Sequence, residues 1–209
     1  MAGRRPWRTR PPIPHPVHTM PNWLYLHGFK SGPGSLKVSE TRAYLAAHQP
    51  DTTLLCPALS PYPAQALQQA AGLIESLSEK PLLIGSSLGG FYATALAERY
   101  GLKAVLINPS VRPFDHFSAF GGEQLNPYNG ERFILGDADR QALLQMFVAT
   151  PQAARYWLVQ GSHDEILDWR EAARHYTGCR MTVLNGDDHR LARWPALLPT
   201  LARFALSAP

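Results

Sequence analysis

One apolar run that breaks into small residues constrains the fold of this chain more than any other stretch. It begins Pro81-Leu82-Leu83-Ile84, breaks at Gly85-Ser86-Ser87-Leu88-Gly89 and continues as an alanine-rich segment to about Gly101. This order predicts a buried strand, a tight turn and a helix. A Gly-x-Ser-x-Gly turn of this kind strains the serine backbone and lifts its hydroxyl clear of the sheet. We therefore predict Ser87 as a nucleophile, the alternative being an ordinary strand-to-helix turn.

Strand patterns alternate with helical patterns along the rest of the chain. The predicted strands are 22–27, 52–57, 81–86, 104–107, 156–160 and 180–184, and the clearest predicted helices are 36–48, about 67–77, 88–100 and about 195–206. Strands that are separated by helices pair in parallel and are covered on both faces. The sequence therefore predicts an α/β fold with a compact, mostly parallel sheet and helices on both faces.

The chain changes character at about residues 111–150. Aromatic residues lie there among glycines and polar residues, and a short amphipathic helix is predicted near Leu143 to Phe147. An insertion of this length between core strands is either a cap over a site or a long surface excursion. Its aromatic content favours a small, cap-like insertion.

The charge of the chain is concentrated at its N-terminus. Residues 1–20 hold four of the 20 basic residues and no acidic residue, which leaves 16 basic against 16 acidic residues in the remainder. This neutral body favours no nucleic-acid partner.

We interpret residues 1–20 as a disordered Arg/Pro-rich extension, or as translated upstream sequence before Met20. A transit peptide or a segment that binds an acidic surface is the alternative. Residues 21–209 are then one folded domain.

Targeting and metal-binding signals are weak in this sequence. The N-terminus has no continuous apolar signal segment, and no stretch approaches the roughly 18–20 apolar residues of a membrane span. Cys56 and Cys179 lie far apart, which favours neither a disulfide nor a zinc site and fits a reducing compartment. We expect a cytoplasmic protein with no metal, no cofactor and no membrane partner.

Two loops that follow later strands supply partners for Ser87. A serine hydroxyl needs an adjacent base, usually a histidine that a carboxylate orients. Asp164 follows one predicted core strand and His189 follows the last, so the order is that of α/β-hydrolases. We predict an α/β-hydrolase fold with a Ser87, Asp164, His189 triad. The alternatives are a surface-loop role for His189, and Glu165 or Asp168 as the acid, although these two also suit a helix start.

An oxyanion hole needs two backbone N–H groups near the nucleophile. The residue after Ser87, Leu88, supplies one, and Phe29 in the glycine-rich loop after the first strand supplies the other. His27, at the start of that loop, shapes the hole rather than acting as the base.

Several separated motifs in this chain occur in a recognisable order. They are Leu24-Tyr25-Leu26-His27-Gly28-Phe29 with Ser31, Gly85-Ser86-Ser87-Leu88-Gly89-Gly90-Phe91-Tyr92-Ala93, Asn108-Pro109, Val111-Arg112-Pro113-Phe114, Asn126-Pro127-Tyr128 and Asp164-Glu165-Ile166-Leu167-Asp168. Over about residues 22–205, they resemble the YqiA/YcfP-type (UPF0227-like) bacterial esterases of the α/β-hydrolase superfamily. The chain departs from that pattern at Asp188, before His189, and in its arginine-rich N-terminus.

The resemblance implies a compact cytoplasmic serine esterase that acts on small acyl esters or thioesters without a cofactor. By motif position it supports Ser87, Asp164 and His189. It also draws attention to Arg112, which either clamps an acidic leaving group or pairs with Asp115 or Glu123. With His27 and Phe114, Arg112 completes the predicted substrate-binding residues.

Two other functions are alternatives to the serine esterase. The chain could be a non-catalytic binding protein with the same fold, or an acyltransferase with the same nucleophile. Survival of all three catalytic residue types disfavours the binding protein. Products formed with added alcohols or amines would distinguish transfer from hydrolysis. The sequence defines neither the natural substrate nor the oligomeric state.

Overall fold

A computed structural model describes residues 22–207, and the predicted extension, residues 1–20, lies outside the described residues. The strands are β1 (Trp23–Leu26), β2 (Leu54–Leu55), β3 (Leu82–Ser86), β4 (Ala104–Ile107), β5 (Gly122–Leu125), β6 (Arg132–Leu135), β7 (Tyr156–Gly161) and β8 (Arg180–Leu184). The helices are α1 (Leu36–His48), α2 (Pro63–Ser76), α3 (Leu88–Tyr100), α4 (Asp137–Met146), α5 (Trp169–His175) and α6 (Trp194–Leu206). Six strands form a parallel sheet in the order β2-β1-β3-β4-β7-β8, which confirms the predicted parallel sheet.

Alternate residues of the central strands belong to two separate cores. Leu24 and Leu26 of β1 pack in the core that contains α2 and α3. Trp23 and Tyr25 of the same strand pack in the core that contains α1 and α6. Burial on both faces explains why these strands are continuous apolar runs in the sequence rather than alternating ones.

The order of the strands reverses at β1. The chain passes from β1 through α1 to β2 on one side, and then through α2 to β3 on the other. In open parallel sheets such a reversal leaves a crevice at the carboxyl ends of the two strands concerned. Gly28 and Ser87, which follow β1 and β3, lie at this crevice.

Polar contacts join helices α1 and α6. Trp194 Nε1 donates to Thr41 Oγ1 at 3.0 Å, and Thr41 Oγ1 donates to the carbonyl oxygen of Lys37 at 2.6 Å. These bonds hold the first turns of α1 in position.

Among the helices of residues 22–207, none combines the length and apolar character needed to cross a membrane.

The insertion, residues 111–150, contains more regular structure than its sequence predicted. Strands β5 and β6 form an antiparallel hairpin where a loop was expected. Helix α4 begins at Asp137, before the predicted start at Leu143, and the Asp139 carboxylate caps it by accepting a bond from Gly136 N at 2.9 Å. Only Phe133 and Leu135 of β6 are buried, so the hairpin carries a short apolar pattern among polar residues. Whether the insertion acts as a cap stays a prediction.

Candidate active site

Ser87 lies between β3 and α3 in a backbone conformation that side chains rarely adopt. Its φ is 55° and its ψ is −122°, a geometry that costs on the order of 1–3 kcal/mol. Neighbouring backbone holds it there. Ser87 N donates to Ile107 O at 3.0 Å, and Ser87 O accepts from Gly90 N at 2.9 Å and Ser110 N at 3.1 Å.

Glycines surround this turn because other elements approach it closely. A Cβ on Gly89 would lie 2.0 Å from Leu26 O, and a Cβ on Gly85 would lie 2.5 Å from Gly89 O. Across the crevice, a Cβ on Gly28 would lie 3.2 Å from Ser87 Cβ. Strand β1 and helix α3 can therefore pack only with glycine at Gly89, and the loop after β1 passes directly beside the serine.

His189 and Asp164 are brought together at the carboxyl ends of β7 and β8. His189 Nδ1 lies 2.7 Å from Asp164 Oδ2, and the exposed fractions of the two side chains are 17% and 0%. The other carboxylate oxygen, Oδ1, accepts from Ile166 N and Leu167 N, both at 2.9 Å. The Asp164 carboxylate therefore has partners for both oxygens, and it fixes the orientation of the imidazole.

Ser87 and His189 line one cavity of about 470 Å³, which we call the α1 cavity because the first turn of α1 also lines it. Within residues 22–207, their side chains are not hydrogen-bonded to each other. In structures without substrate, a serine and its base are often further apart than in the working complex. The His189 imidazole and the Ser87 hydroxyl thus line the same cavity without a direct hydrogen bond to each other.

Phe29 and Leu88 place two backbone amides beside Ser87. Both residues line a second cavity, of about 500 Å³, together with Ser87. Its remaining wall comes mainly from apolar residues of the insertion and of the loop before α5, including Pro113, Phe120 and Ile166; we call it the insertion cavity. Neither amide donates a hydrogen bond to any residue that the structure describes. Phe29 and Leu88 therefore keep backbone donors without a protein partner in the described chain, at residues that line the same cavity as Ser87.

His27 is buried and uses both ring nitrogens within the protein. Leu59 N donates to Nε2 at 3.1 Å, and Nδ1 donates to Gly28 O at 3.0 Å. Burial lowers the pKa of His27 from its ordinary value of 6.5, with smaller opposing effects from backbone hydrogen bonds. The neutral imidazole ties the loop after β1 to the loop after β2, and neither nitrogen is left for a substrate.

Arg112 and Phe114, two predicted substrate-binding residues, line neither cavity. The exposed Arg112 guanidinium pairs with Asp115 at 2.5 Å and lies over the Phe114 ring. Of the two alternatives for Arg112, the structure thus has the ion pair with Asp115, while Glu123 pairs with Arg132 instead. Phe114 is 2% exposed and belongs to the hydrophobic core.

Asn108, at the end of β4, links the candidate site residues and was not among the predicted ones. Its Oδ1 accepts from Gly161 N at 2.8 Å, and its Nδ2 donates to the carbonyl oxygens of Asp188 and His189 at 3.2 and 3.1 Å. It is 1% exposed and has a φ of 41°. The only sequence signal was the Asn-Pro pair directly after an apolar strand.

The other acidic residues near His189 have structural partners. Glu165 accepts a bond from His189 N at 3.1 Å, which lowers the pKa of Glu165. Asp168 caps α5 by accepting from Arg170 N at 3.0 Å, as predicted. Asp187 has a side chain only 9% exposed and pairs with Arg193 at 2.6 Å. No group of three or more potential metal ligands occurs in the part of the chain that the structure describes.

Comparison with known sequences assigns the family. A sequence profile described as "Uncharacterised protein family (UPF0227)" matches residues 22–205. The chain belongs to the UPF0227 family. A UPF0227 protein from Shewanella loihica is 37% identical over 98 residues, which are 44% of this chain and 53% of that protein. This match spans about half the length of the curated relative. The profile match over residues 22–205 confirms the resemblance to the UPF0227 family that the motifs predicted.

Solved structures show that this UPF0227 chain has the α/β-hydrolase fold. Alpha/beta hydrolase domain-containing protein 10 from mouse superimposes with a TM-score of 0.69 at 16% identity, covering 88% of this chain and 89% of that one. Est1E from Butyrivibrio proteoclasticus gives 0.66 at 15%, covering 90% and 88%. The esterase domain of a Rhodothermus marinus protein gives 0.66 at 23%, covering 91% and 89%. The predicted fold class is confirmed.

Proposed function

We propose that this protein is a serine esterase that hydrolyses small carboxylic esters, or thioesters, through an acyl-enzyme. One observation carries the proposal. The strained Ser87 and the Asp164-bound His189 line one cavity, and the free amides of Phe29 and Leu88 lie beside the serine. Solved proteins with the same fold include ones named as an esterase and a monoacylglycerol lipase, which agrees with this class of reaction.

In the first half of the reaction, the Ser87 hydroxyl attacks the acyl carbon while His189 Nε2 accepts its proton. The assignment of this nitrogen follows from the other one, since Nδ1 is bound to Asp164 Oδ2 at 2.7 Å. The Asp164 carboxylate keeps the reactive tautomer and stabilises the imidazolium. His189 then returns the proton to the leaving oxygen or sulfur as the bond to the acyl carbon breaks.

The negative charge that develops on the acyl oxygen needs donors that are already in position. The Phe29 and Leu88 amides are such donors, and Leu88 is also the first residue of α3, where the helix dipole is positive. One donor of this kind contributes on the order of 10²–10³ in rate. Water then attacks the acyl-enzyme by the same route, and its proton passes through His189 to Ser87.

A fluorophosphonate probe with intact-mass analysis tests the nucleophile directly. We expect a single adduct on the wild-type protein and none on Ser87→Ala, because only an activated serine reacts with the probe. The Ser86→Ala variant is the matched control, since Ser86 is the adjacent serine and should leave the adduct in place. Ester hydrolysis should be lost together with the adduct.

The fold of Ser87→Ala must be verified before its inactivity is interpreted. Alanine keeps the Cβ and the same backbone strain, so the midpoint of urea unfolding should stay near that of the wild type. Wild-type turnover in a folded Ser87→Ala protein, or an adduct that survives in it, would refute the proposal. Analysis of products with added alcohols then separates hydrolysis from acyl transfer.

A further inference from the structure

The loop after β1, residues 28–34, carries the Phe29 amide on a strained backbone. Lys30, the residue after Phe29, has a φ of 52°, a conformation that side chains rarely adopt. In the part of the chain that the structure describes, this loop makes one backbone-to-backbone hydrogen bond, from Ser35 N to Gly32 O at 3.1 Å. Because a strained segment persists only where its surroundings hold it, contacts from outside the loop must fix this conformation.

Tyr128, in the turn between β5 and β6, makes such a contact. Its hydroxyl accepts a hydrogen bond from Gly34 N at 2.5 Å, although the two residues are 94 positions apart in the chain. No other side chain of the described residues bonds the backbone of residues 29–34. A Cβ on Gly32 would lie 2.2 Å from the Tyr128 ring, and a Cβ on Gly34 would lie 2.3 Å from its hydroxyl oxygen. The two glycines therefore permit the close approach of this side chain.

The turn that carries Tyr128 is itself fixed by Asn126. Tyr128 N donates to Asn126 Oδ1 at 2.9 Å. The Asn126 backbone accepts from Gly130 N and donates to Glu131 O, both at 2.8 Å. Asn126 is only 8% exposed, and the ring of Pro127 restricts the backbone between the two residues. This motif, which the proposed triad does not use, thus presents one tyrosine to the loop after β1.

Two other rings of the insertion hold the Phe29 side chain. The centroid of the Phe29 ring lies 5.5 Å from that of Phe120 and 5.9 Å from that of Phe133, the second in an edge-to-face arrangement. Such tilted and edge-to-face pairs are favourable aromatic contacts. Both ends of the loop are therefore attached to the insertion, the first by ring packing and the second by Tyr128.

We propose that Tyr128 is a positioning residue, which holds the loop after β1 so that the Phe29 N–H is in place for the acyl oxygen. The inference rests on the proposed esterase function and gives the insertion a further role, the support of the oxyanion hole. Tyr128 lines neither the α1 cavity nor the insertion cavity, so it acts through the loop rather than by contact with the substrate. A displacement of about 1 Å at a catalytic group costs on the order of 10²-fold in rate.

Removal of the hydroxyl and then of the whole ring of Tyr128 tests this role. Tyr128→Phe loses the bond to Gly34 N, and Tyr128→Ala also loses the ring contacts. With 4-nitrophenyl butyrate, kcat should fall about tenfold in the first variant and about 10²-fold in the second, while KM stays within about twofold. Tyr100→Phe is the matched control, because it also loses one hydroxyl hydrogen bond, to Glu75, at the opposite end of α3 from Ser87. Its kcat should equal that of the wild type.

The trifluoromethyl ketone analogue of butyrate separates positioning from a loss of stability. Ser87 Oγ adds to its carbonyl carbon, His189 Nε2 takes the hydroxyl proton, and the carbonyl oxygen becomes an alkoxide with no leaving group. This alkoxide needs the same donors as the transition state, so the inhibition constant should rise in proportion to the fall in kcat/KM across the variants. A purely structural role would leave the inhibition constant of the folded protein unchanged.

A substitution at Gly34 tests the contact from the other side. Gly34 does not have a positive φ, so an alanine there meets strain only from the Tyr128 hydroxyl. Without that hydroxyl, the nearest ring atom lies 3.4 Å from the added Cβ, which is an ordinary contact. Gly34→Ala should therefore lower kcat in the wild type and change it by less than about twofold in Tyr128→Phe, since residues in contact do not behave additively.

Each outcome separates the role of Tyr128 from the proposed chemistry. Wild-type kcat and inhibition constant in folded Tyr128→Phe and Tyr128→Ala would overturn the positioning role, while hydrolysis and the Ser87 adduct remain. A raised KM at unchanged kcat would also overturn it, because it would indicate contact with the substrate. If Tyr128→Ala fails to fold, Tyr128→Phe and the Gly34→Ala pair decide. Absence of hydrolysis and of the fluorophosphonate adduct in the wild type would instead refute the esterase function, and the positioning role with it.

Discussion

Replacement of Asn108 by alanine tests whether one buried amide holds the candidate site together. The side chain joins the end of β7 to the loop that carries His189, through Gly161 N and the carbonyl oxygens of Asp188 and His189. Alanine leaves the Gly161 N–H buried without an acceptor, which costs about 1–3 kcal/mol. It must also adopt a φ of 41°, which adds on the order of 1 kcal/mol. We expect the free energy of unfolding to fall by about 2–4 kcal/mol.

The same substitution should slow ester hydrolysis beyond its effect on stability. His189 would lose the bond that fixes its carbonyl oxygen, and a displacement of about 1 Å at a catalytic group costs on the order of 10²-fold. Urea unfolding followed by fluorescence gives the free energy, and kcat for 4-nitrophenyl butyrate, measured well below the unfolding midpoint, gives the rate. The two measurements together separate positioning from stability, because a purely structural role would leave kcat of the folded fraction unchanged.

Two companion variants divide the effect of Asn108→Ala into its parts. Asn108→Gly loses the same hydrogen bonds but tolerates the positive φ, so it should be more stable than alanine by about 1 kcal/mol. Asn108→Asp keeps the acceptor for Gly161 N but turns an oxygen towards the two carbonyl oxygens. Of the three Asn108 variants, it should therefore show the largest loss of kcat relative to its loss of stability. Wild-type stability and kcat in Asn108→Gly would refute the role assigned to this side chain.

Three further perturbations test other parts of the site and its support. Asp164→Asn should lower kcat by about 10⁴-fold with the fold intact by circular dichroism, since the amide favours the wrong imidazole tautomer; an active variant would contradict the triad. Burial holds the pKa of His27 below 6.5, so the unfolded chain binds a proton that the folded one does not, and stability falls as pH falls through 6.5. His27→Gln should show a smaller loss between about pH 7.5 and pH 5 in urea unfolding, and an equal loss would exclude His27 as the cause. Gly89→Ala should fail to fold or lose several kcal/mol, because its Cβ would lie 2.0 Å from Leu26 O, whereas Gly72→Ala in α2 meets nothing within 4 Å and should gain up to about 1 kcal/mol; equal thermal midpoints would contradict this.

The sequence predicted the sheet well because its strands carry a strong signal. Strands that are buried on both faces must be apolar at every position, so β3, β4 and β7 were recognisable without any knowledge of their neighbours. Residues that directly follow such strands were then predictable candidates. The serine after β3 and the aspartate after β7 both lie where parallel strands end at one edge of the sheet.

The contacts missed by prediction depend on side chains meeting from distant parts of the chain. Asn108 is 80 and 81 residues from its two carbonyl partners, and no local pattern records such a distance. The hairpin of β5 and β6 was missed because its strands are mostly exposed and therefore polar. The role of Arg112 stayed open in the sequence because an arginine pairs equally well with a substrate or with Asp115, and only the observed ion pair distinguishes them.

The strain at Ser87 and the unusual backbone of Asn108 are parts of one arrangement. Both residues directly follow parallel, adjacent strands, and both have a positive φ without being glycine. Ser87 N bonds to the last residue of β4, and Ser110 N returns a bond to Ser87 O. Because Asn108 lies between these two contacts, the loop after β4 supports the serine turn on one side and the His189 loop on the other. A change in that loop should therefore alter Ser87 and His189 together, so a variant that loses the bonds of Asn108 should also react more slowly with the fluorophosphonate probe.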